Sequence, residues 1–239
     1  SASDRYQRLG VSFLSFGAVF AGYSYAVLSS VPLTALGLAC VILGSTLLMV
    51  PGSAVPAREV RAMMEGCLVN VEALLEEFDA KGKAVYMPLI DGGVYAFVPF
   101  PEDAQMGEFN PGSAPRGVLT EVGGVKGVTV FPLGSEALRF SSMPEEAGAE
   151  DALSHVLVDF MEAVDSVKYV QRGVEAVVEL GRPRMTSEHP RVNGSLGSFP
   201  VSVAGCVLAH VLRSPVLYNG EEAAEGRVVG YFEVVAADG

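Results

Sequence analysis

Apolar residues are unevenly spread along this chain. From Leu9 to Ala57 the run LGVSFLSFGAVFAGYSYAVLSSVPLTALGLACVILGSTLLMVPGSAVPA contains no charged residue. A helix of about 20 apolar residues crosses a bilayer core, so the run predicts two spans, at about 11–29 and 33–50. The turn falls at Ser29–Pro32, because proline has no N–H to donate and suits the first turn of the next helix. A secretory signal has a single, shorter apolar region, and this run is doubled. A buried soluble hairpin is the other reading, and two spans of this length without one charge argue against it. Ser15, Ala18, Gly22 and Ala26 fall on one face of the first span, with Ser29 continuing it, and Ala35 and Ala39 on one face of the second. Small residues let helices approach closely in lipid. The two spans either pack on each other there or offer these stripes to a partner.

Beyond the spans the periodicity changes. In REVRAMMEGCLVNVEALLEEFD the positions Val60, Met63, Met64, Cys67, Leu68, Val71, Leu74, Leu75 and Phe78 recur at helical spacing, which predicts an amphipathic helix. AVYMPLI and VYAFVPF flank Asp-Gly-Gly and predict a β-hairpin. VLTEV and VTVFPLG, joined by GGVKG, predict a second, followed by a short helix over SEALRF. The acidic, aperiodic SSMPEEAGAE (141–150) reads as a linker. A helix over 151–164 then leads into the strands VKYVQ and VEAVVEL. In the latter, Val174, Ala176, Val178 and Leu180 share a face opposite Glu175 and Glu179. FPVSVAGCVLAHVL, apolar nearly all round, predicts a deeply buried helix with Ser198 as N-cap and Pro200 in its first turn. PVLYN and RVVGYFEVV close the chain.

Helix, strand, strand is therefore stated three times, with an extra hairpin after the first. The expected fold class is α+β: a transmembrane hairpin over 1–55, a first helix-plus-antiparallel-hairpin unit over 56–140, the linker 141–150, and an αββαββ unit over 151–239.

Charge adds the topology. Arg5 and Arg8 precede the first span and Arg58 and Arg61 follow the second, while the connecting turn is uncharged. Basic residues favour the cytoplasmic side, so both ends, and the whole α+β part, are expected in the cytoplasm. The chain begins at Ser1 rather than Met, which leaves room for residues upstream. Net charge is −12, and only Arg5, Arg8 and Asp4 of the charged residues lie ahead of the spans. The α+β part is thus strongly acidic, which argues against nucleic acid as a partner and against a polybasic hold on an anionic leaflet. Cys40, Cys67 and Cys206 have no metal or disulfide spacing and read as small core residues of a reducing compartment. Asn193-Gly-Ser is a glycosylation sequon that the expected topology leaves unused.

Few residues suggest chemistry. The three histidines, His155, His189 and His210, have no metal-ligand spacing, and no phosphate loop or nucleophile elbow is present. No catalytic residue, metal site or cofactor is expected. One interval differs: GRPRMTSEHPRVNGSLGSFP (181–200) gathers Arg182, Arg184, His189 and Arg191 ahead of Gly194, Ser195, Gly197 and Ser198. Free N–H groups at the following helix start, with nearby guanidinium groups, are what a small anion needs. The competing explanation is a strand-to-helix loop whose arginines pair with the surplus carboxylates.

The stretch VYMPLIDGGVYAFVP (85–99), together with His189-Pro190 ahead of SFPVSVAGCVLAHVL, resembles an uncharacterised archaeal family of membrane-anchored proteins. The resemblance implies two spans, a cytoplasmic α+β domain of unknown function and an archaeal source, and no catalytic residue. The expected role is a non-enzymatic accessory or scaffolding protein, a subunit of a larger or homo-oligomeric membrane assembly. Its partners would be lipid and other membrane subunits or copies of itself. The alternative is a membrane-tethered sensor that binds a small anion at residues 182–198.

Overall fold

A computed structural model describes residues 2–49, 57–102, 115, 117–141, 147–185 and 189–235, with residues 2–7, 57–61 and 133 as backbone only. The side chains of Arg5, Arg58 and Arg61 and the stretch 142–146, invoked above for topology and linker, lie outside the described part. The chain forms two compact units, residues 1–62 and 63–239.

The first unit is a hairpin of α1 (Ala2–Ala26) and α2 (Val31–Met49). Residues 8–26 and 31–49 are long and apolar enough to cross a membrane. Several hydroxyls within the spans return to their own helix, whereas the buried Ser24 Oγ has no partner among the described residues. Ser15 Oγ donates to Val11 O at 2.8 Å and Ser45 Oγ to Val41 O at 2.8 Å, which suits a setting without water. The seam between the helices lies on another set of small residues. Gly10, Gly17, Ala21 and Ser24 of α1 are buried against Gly37 and Gly44 of α2, at the three- and four-residue steps of a left-handed pair. A methyl placed on Gly37 would sit 2.7 Å from Ala21 Cα, and one on Gly44 2.6 Å from the Leu14 nitrogen, so the backbones meet closely because these positions lack Cβ. Ser15, Ala18, Gly22, Ala26, Ala35 and Ala39 are all exposed. At 3.6 residues per turn they fall on the far sides of their helices from the seam. Of the two roles the sequence leaves open for these stripes, packing between the spans falls to the glycine seam, and the stripes themselves stay exposed.

The second unit is built on one eight-stranded sheet in the order β3-β4-β2-β1-β7-β8-β6-β5. The strands are β1 (Val85–Pro88), β2 (Val94–Pro99), β3 (Leu119–Val122), β4 (Val125–Val130), β5 (Ser166–Arg172), β6 (Glu175–Gly181), β7 (Val216–Ala224) and β8 (Arg227–Val234), and every pairing is antiparallel. The halves on either side of residues 141–150 join through β1 and β7, at Val85↔Leu217 and Tyr86↔Val216. The β3–β4 turn is only Gly123-Gly124, both at positive φ, the two-residue turn that suits strand twist. β4 therefore starts at Val125, inside the expected GGVKG turn. β7 likewise runs on through GEEAA after an irregularity between Tyr218 and Gly220.

The helices are α3 (Ala57–Glu77), α4 (Leu133–Phe140), α5 (Ala149–Ser154), α6 (Pro190–Leu196) and α7 (Phe199–Leu212). α5 continues as a π-helical segment, His155–Phe160, where one α-helix was expected. α7 is almost wholly buried, as its all-round apolarity predicts, and packs against Tyr86, Ala176, Val178, Tyr218 and Phe232 in the main core. Tyr86 donates to Leu196 O at 2.6 Å and lies 2.9 Å from Ser202 Oγ, so its buried hydroxyl is satisfied. Val85, Met87, Tyr95 and Phe97 point to the opposite face and form a smaller core there, as strand alternation requires.

Candidate functional site

The interval 181–200 was the sequence's best candidate, and its local structure begins with a helix absent from the sequence reading. Pro190 occupies the first helical position of α6, where its missing N–H costs nothing. The next two N–H groups, Arg191 N and Val192 N, donate to the Glu72 carboxylate at 3.0 and 2.7 Å. That is the role an N-cap side chain usually fills, taken here by a residue of α3. The start of α7 differs. Ser198 holds the N-cap position, as expected, but its side chain makes no capping bond: its own N–H (2.9 Å) and its hydroxyl (2.7 Å) both donate to Glu221 Oε2 from β7.

The basic residues do not converge. Arg182 lies 3.7 Å from Asp165, and Arg184 bonds Asp165 at 2.9 Å and Glu162 at 3.4 Å. His189 and Arg191 turn the other way, onto α3 and its end. His189 Nε2 is 3.0 Å from Glu65 Oε1, and Arg191 is 3.5 Å from Asp79. Ser195 is buried and its carbonyl accepts from Ala84 N at 2.8 Å. The Gly194 carbonyl accepts from Lys83 Nζ at 2.8 Å. Gly197, at positive φ, packs against Val201 and Tyr218. Residues 182–198 thus supply two separate ion-pair groups, one helix start whose N–H groups already face a carboxylate of the same chain, and a serine tied to Glu221.

A surface cleft of about 540 Å³ lies beside α6, walled by Glu72, Glu76 and Glu102 and by Lys81, Lys83 and Arg191. Lys83 also stands over the Tyr218 ring, 5.3 Å from its centre, a cation–π arrangement. Lys81 bonds Asp79 at 2.8 Å. This bond, with Arg191 nearby, holds the Asp79 carboxyl below its ordinary value. Three cations and three carboxylates give the cleft no preference for an anion.

The histidines stay apart. His155 Nε2 meets Ser141 O at 2.9 Å, His189 meets Glu65, and half-buried His210 lies late in α7. Among the described residues no group of three or more His, Cys, Asp or Glu could hold a metal. Cys206 is buried, and desolvation pushes its thiol far above the ordinary value, which leaves it a small apolar residue. Cys67, expected in the core, is exposed, because it sits at the margin of the apolar face of α3. Burial also raises the Tyr86 and Tyr218 phenols, so both remain neutral hydrogen-bonding groups.

The residues that organise this region, Glu65, Glu72, Asp79 and Glu221, were missed in the sequence. Glu65, Glu72 and Asp79 recur every seventh position, so they share one side of α3 and its end. That spacing was readable, but their partners, more than a hundred residues later, were not.

Fold and site together define a class: an α+β domain following a hairpin of two apolar helices, with a cleft lined by three carboxylates and three cations beside α6. The chain belongs to the family described as Domain of unknown function (DUF7982), which matches residues 1–229. No curated protein and no solved structure shows a significant match.

Proposed function

We propose that the protein is a membrane-anchored accessory or scaffolding subunit, without catalytic activity. In this reading it assembles with copies of itself or other membrane proteins through its hairpin, and its acidic domain lies in the cytoplasm. The observation that carries this reading is the two-sided character of α1. One side, through Gly10, Gly17 and Ala21, is used up against α2, while Ser15, Ala18, Gly22 and Ala26 present a second small-residue face with nothing on it. In lipid such a face lets another helix approach closely. Near the turn, Ala26 and Ala35 share a groove of about 610 Å³ with Ser29, Ser30 and Thr34, which gives a partner helix both shape and hydroxyl groups. The cytoplasmic placement is supported by the four arginines flanking the uncharged run, and the archaeal source by the family resemblance. The sensor alternative has less behind it, because Arg184 and Arg191 already pair with Asp165 and Asp79 and the start of α6 already faces Glu72.

The test is the mass of the gently extracted particle. Wild type is expected to run as an assembly. Gly22→Leu should shift it toward the single chain while the folded domain keeps its melting temperature. A wild-type protein that runs alone as a monomer in native nanodiscs would overturn the reading.

A further inference from the structure

α3 is seated unevenly on the sheet domain. Its C-terminal end is fixed: Ala80 N donates to Leu75 O at 2.9 Å and Asp79 takes positive φ, a left-handed helix stop, and both Leu75 and Ala80 are fully buried. The rest of its apolar face, Met64, Leu68, Val71, Leu74 and Phe78, is only half-buried against the main core, and toward the N-terminus Met63 is 72 % exposed. Beneath Cys67, Leu68 and Val71 lies an apolar cavity of about 130 Å³, floored by Val192, Leu196, Phe199 and Val203. A void of this kind removes contact partners from its lining. The thinly packed half is held instead at its edge, by Glu65 on His189 and by Glu72 on the first N–H groups of α6. These are solvent-accessible polar ties, individually weak.

We propose that α3 is a hinged arm: its first half swings off the domain about the Leu75–Ala80 end, and the Glu65–His189 and Glu72–α6 contacts are its latch. Opening bares the apolar floor at Leu196, Phe199 and Val203. This inference stands on the domain alone and does not depend on the assembly reading.

Amide hydrogen exchange on the full chain in lipid nanodiscs tests it. In wild type, amides 65–72 should exchange faster than those of β6 and α7, through a local opening. Glu72→Ala should speed them about tenfold, the loss expected of charge-assisted hydrogen bonds, with β6 and α7 unchanged. Val71→Ile adds a methylene toward the cavity and should slow them roughly threefold. Amides 65–72 exchanging at the rate of β6 in wild type and Val71→Ile would overturn the proposal. So would a Glu72→Ala effect that reaches β6 and α7 equally.

Discussion

α2 and α7 are alike in sequence and opposite in setting. Both read as apolar nearly all round, and residues 190–212, which contain α7, also satisfy the length and composition of a membrane span. Yet 72 % of that segment is buried within the protein, against 11 % of α2. Apolarity states only that water is avoided. What covers the helix is decided by its neighbours: α7 is followed and preceded by alternating strands that offer it an apolar sheet face, whereas α2 packs against α1 along one side. Leu36, Leu38, Ile42 and Leu43 stay exposed there, and lipid is the solvent that suits them.

The sharpest way to break this comparison is to place the same charge in both regions. Val203→Asp buries an unpaired carboxylate in α7 and should cost more than about 4 kcal/mol, seen as loss of the cooperative melting transition. Val19→Asp, at a position 74 % exposed in α1, should leave that transition alone and weaken membrane retention, by about 3 kcal/mol on an insertion scale. If both substitutions unfold the domain, the two settings are not distinct. A gentler version uses glycine. A Cβ on Gly205 would lie 2.5 Å from the Tyr86 ring, and one on Gly37 2.7 Å from Ala21. Gly205→Val should lower domain stability by about 1–3 kcal/mol, read by denaturant unfolding, while Gly37→Val should separate the spans, read by loss of a cross-link between them, with the domain's unfolding midpoint unmoved.

The smallest expected effect lies outside both helices and sets the baseline. The Asp79 carboxyl is held low chiefly by its hydrogen bond to Lys81. The folded protein therefore binds fewer protons at this site than the unfolded chain, and the contribution is complete above the ordinary carboxyl value of about 4. It fades as pH falls through the lower folded value. Melting temperatures of wild type and Asp79→Asn should differ slightly at neutral pH and converge in strong acid.

The fold was legible where one periodicity dominated. The charge-free run marks two helices, Ala176, Val178 and Leu180 mark the inner face of β6, and Ser198-Phe-Pro marks the start of α7. Legibility failed where a choice depended on three dimensions. Two stripes of small residues on α1 satisfy the same spacing rule, and only backbone approach separates the glycine seam from the alanine-rich face. Glu72 looked like one more acid on a solvated helix side, because nothing local shows that α6 brings two N–H groups to it. Arg182, Arg184, His189 and Arg191 are neighbours in sequence, yet the first two meet Asp165 and the last two meet α3 and its end.

The junction of β1 and β7 has a consequence for synthesis. The first half of the sheet leaves the ribosome complete as far as β4, with Val94, Ala96, Val98 and Tyr86 directed at a face whose cover, α7, arrives only after residue 199. For the roughly seventy intervening residues, some seconds of elongation, that face is covered only in part, by Leu75 of α3 and by Ala137 and Leu138 of α4. Folding on the ribosome is thus ordered by where α7 sits in the gene: the newborn first half must be shielded until α7, followed by β7, closes over it.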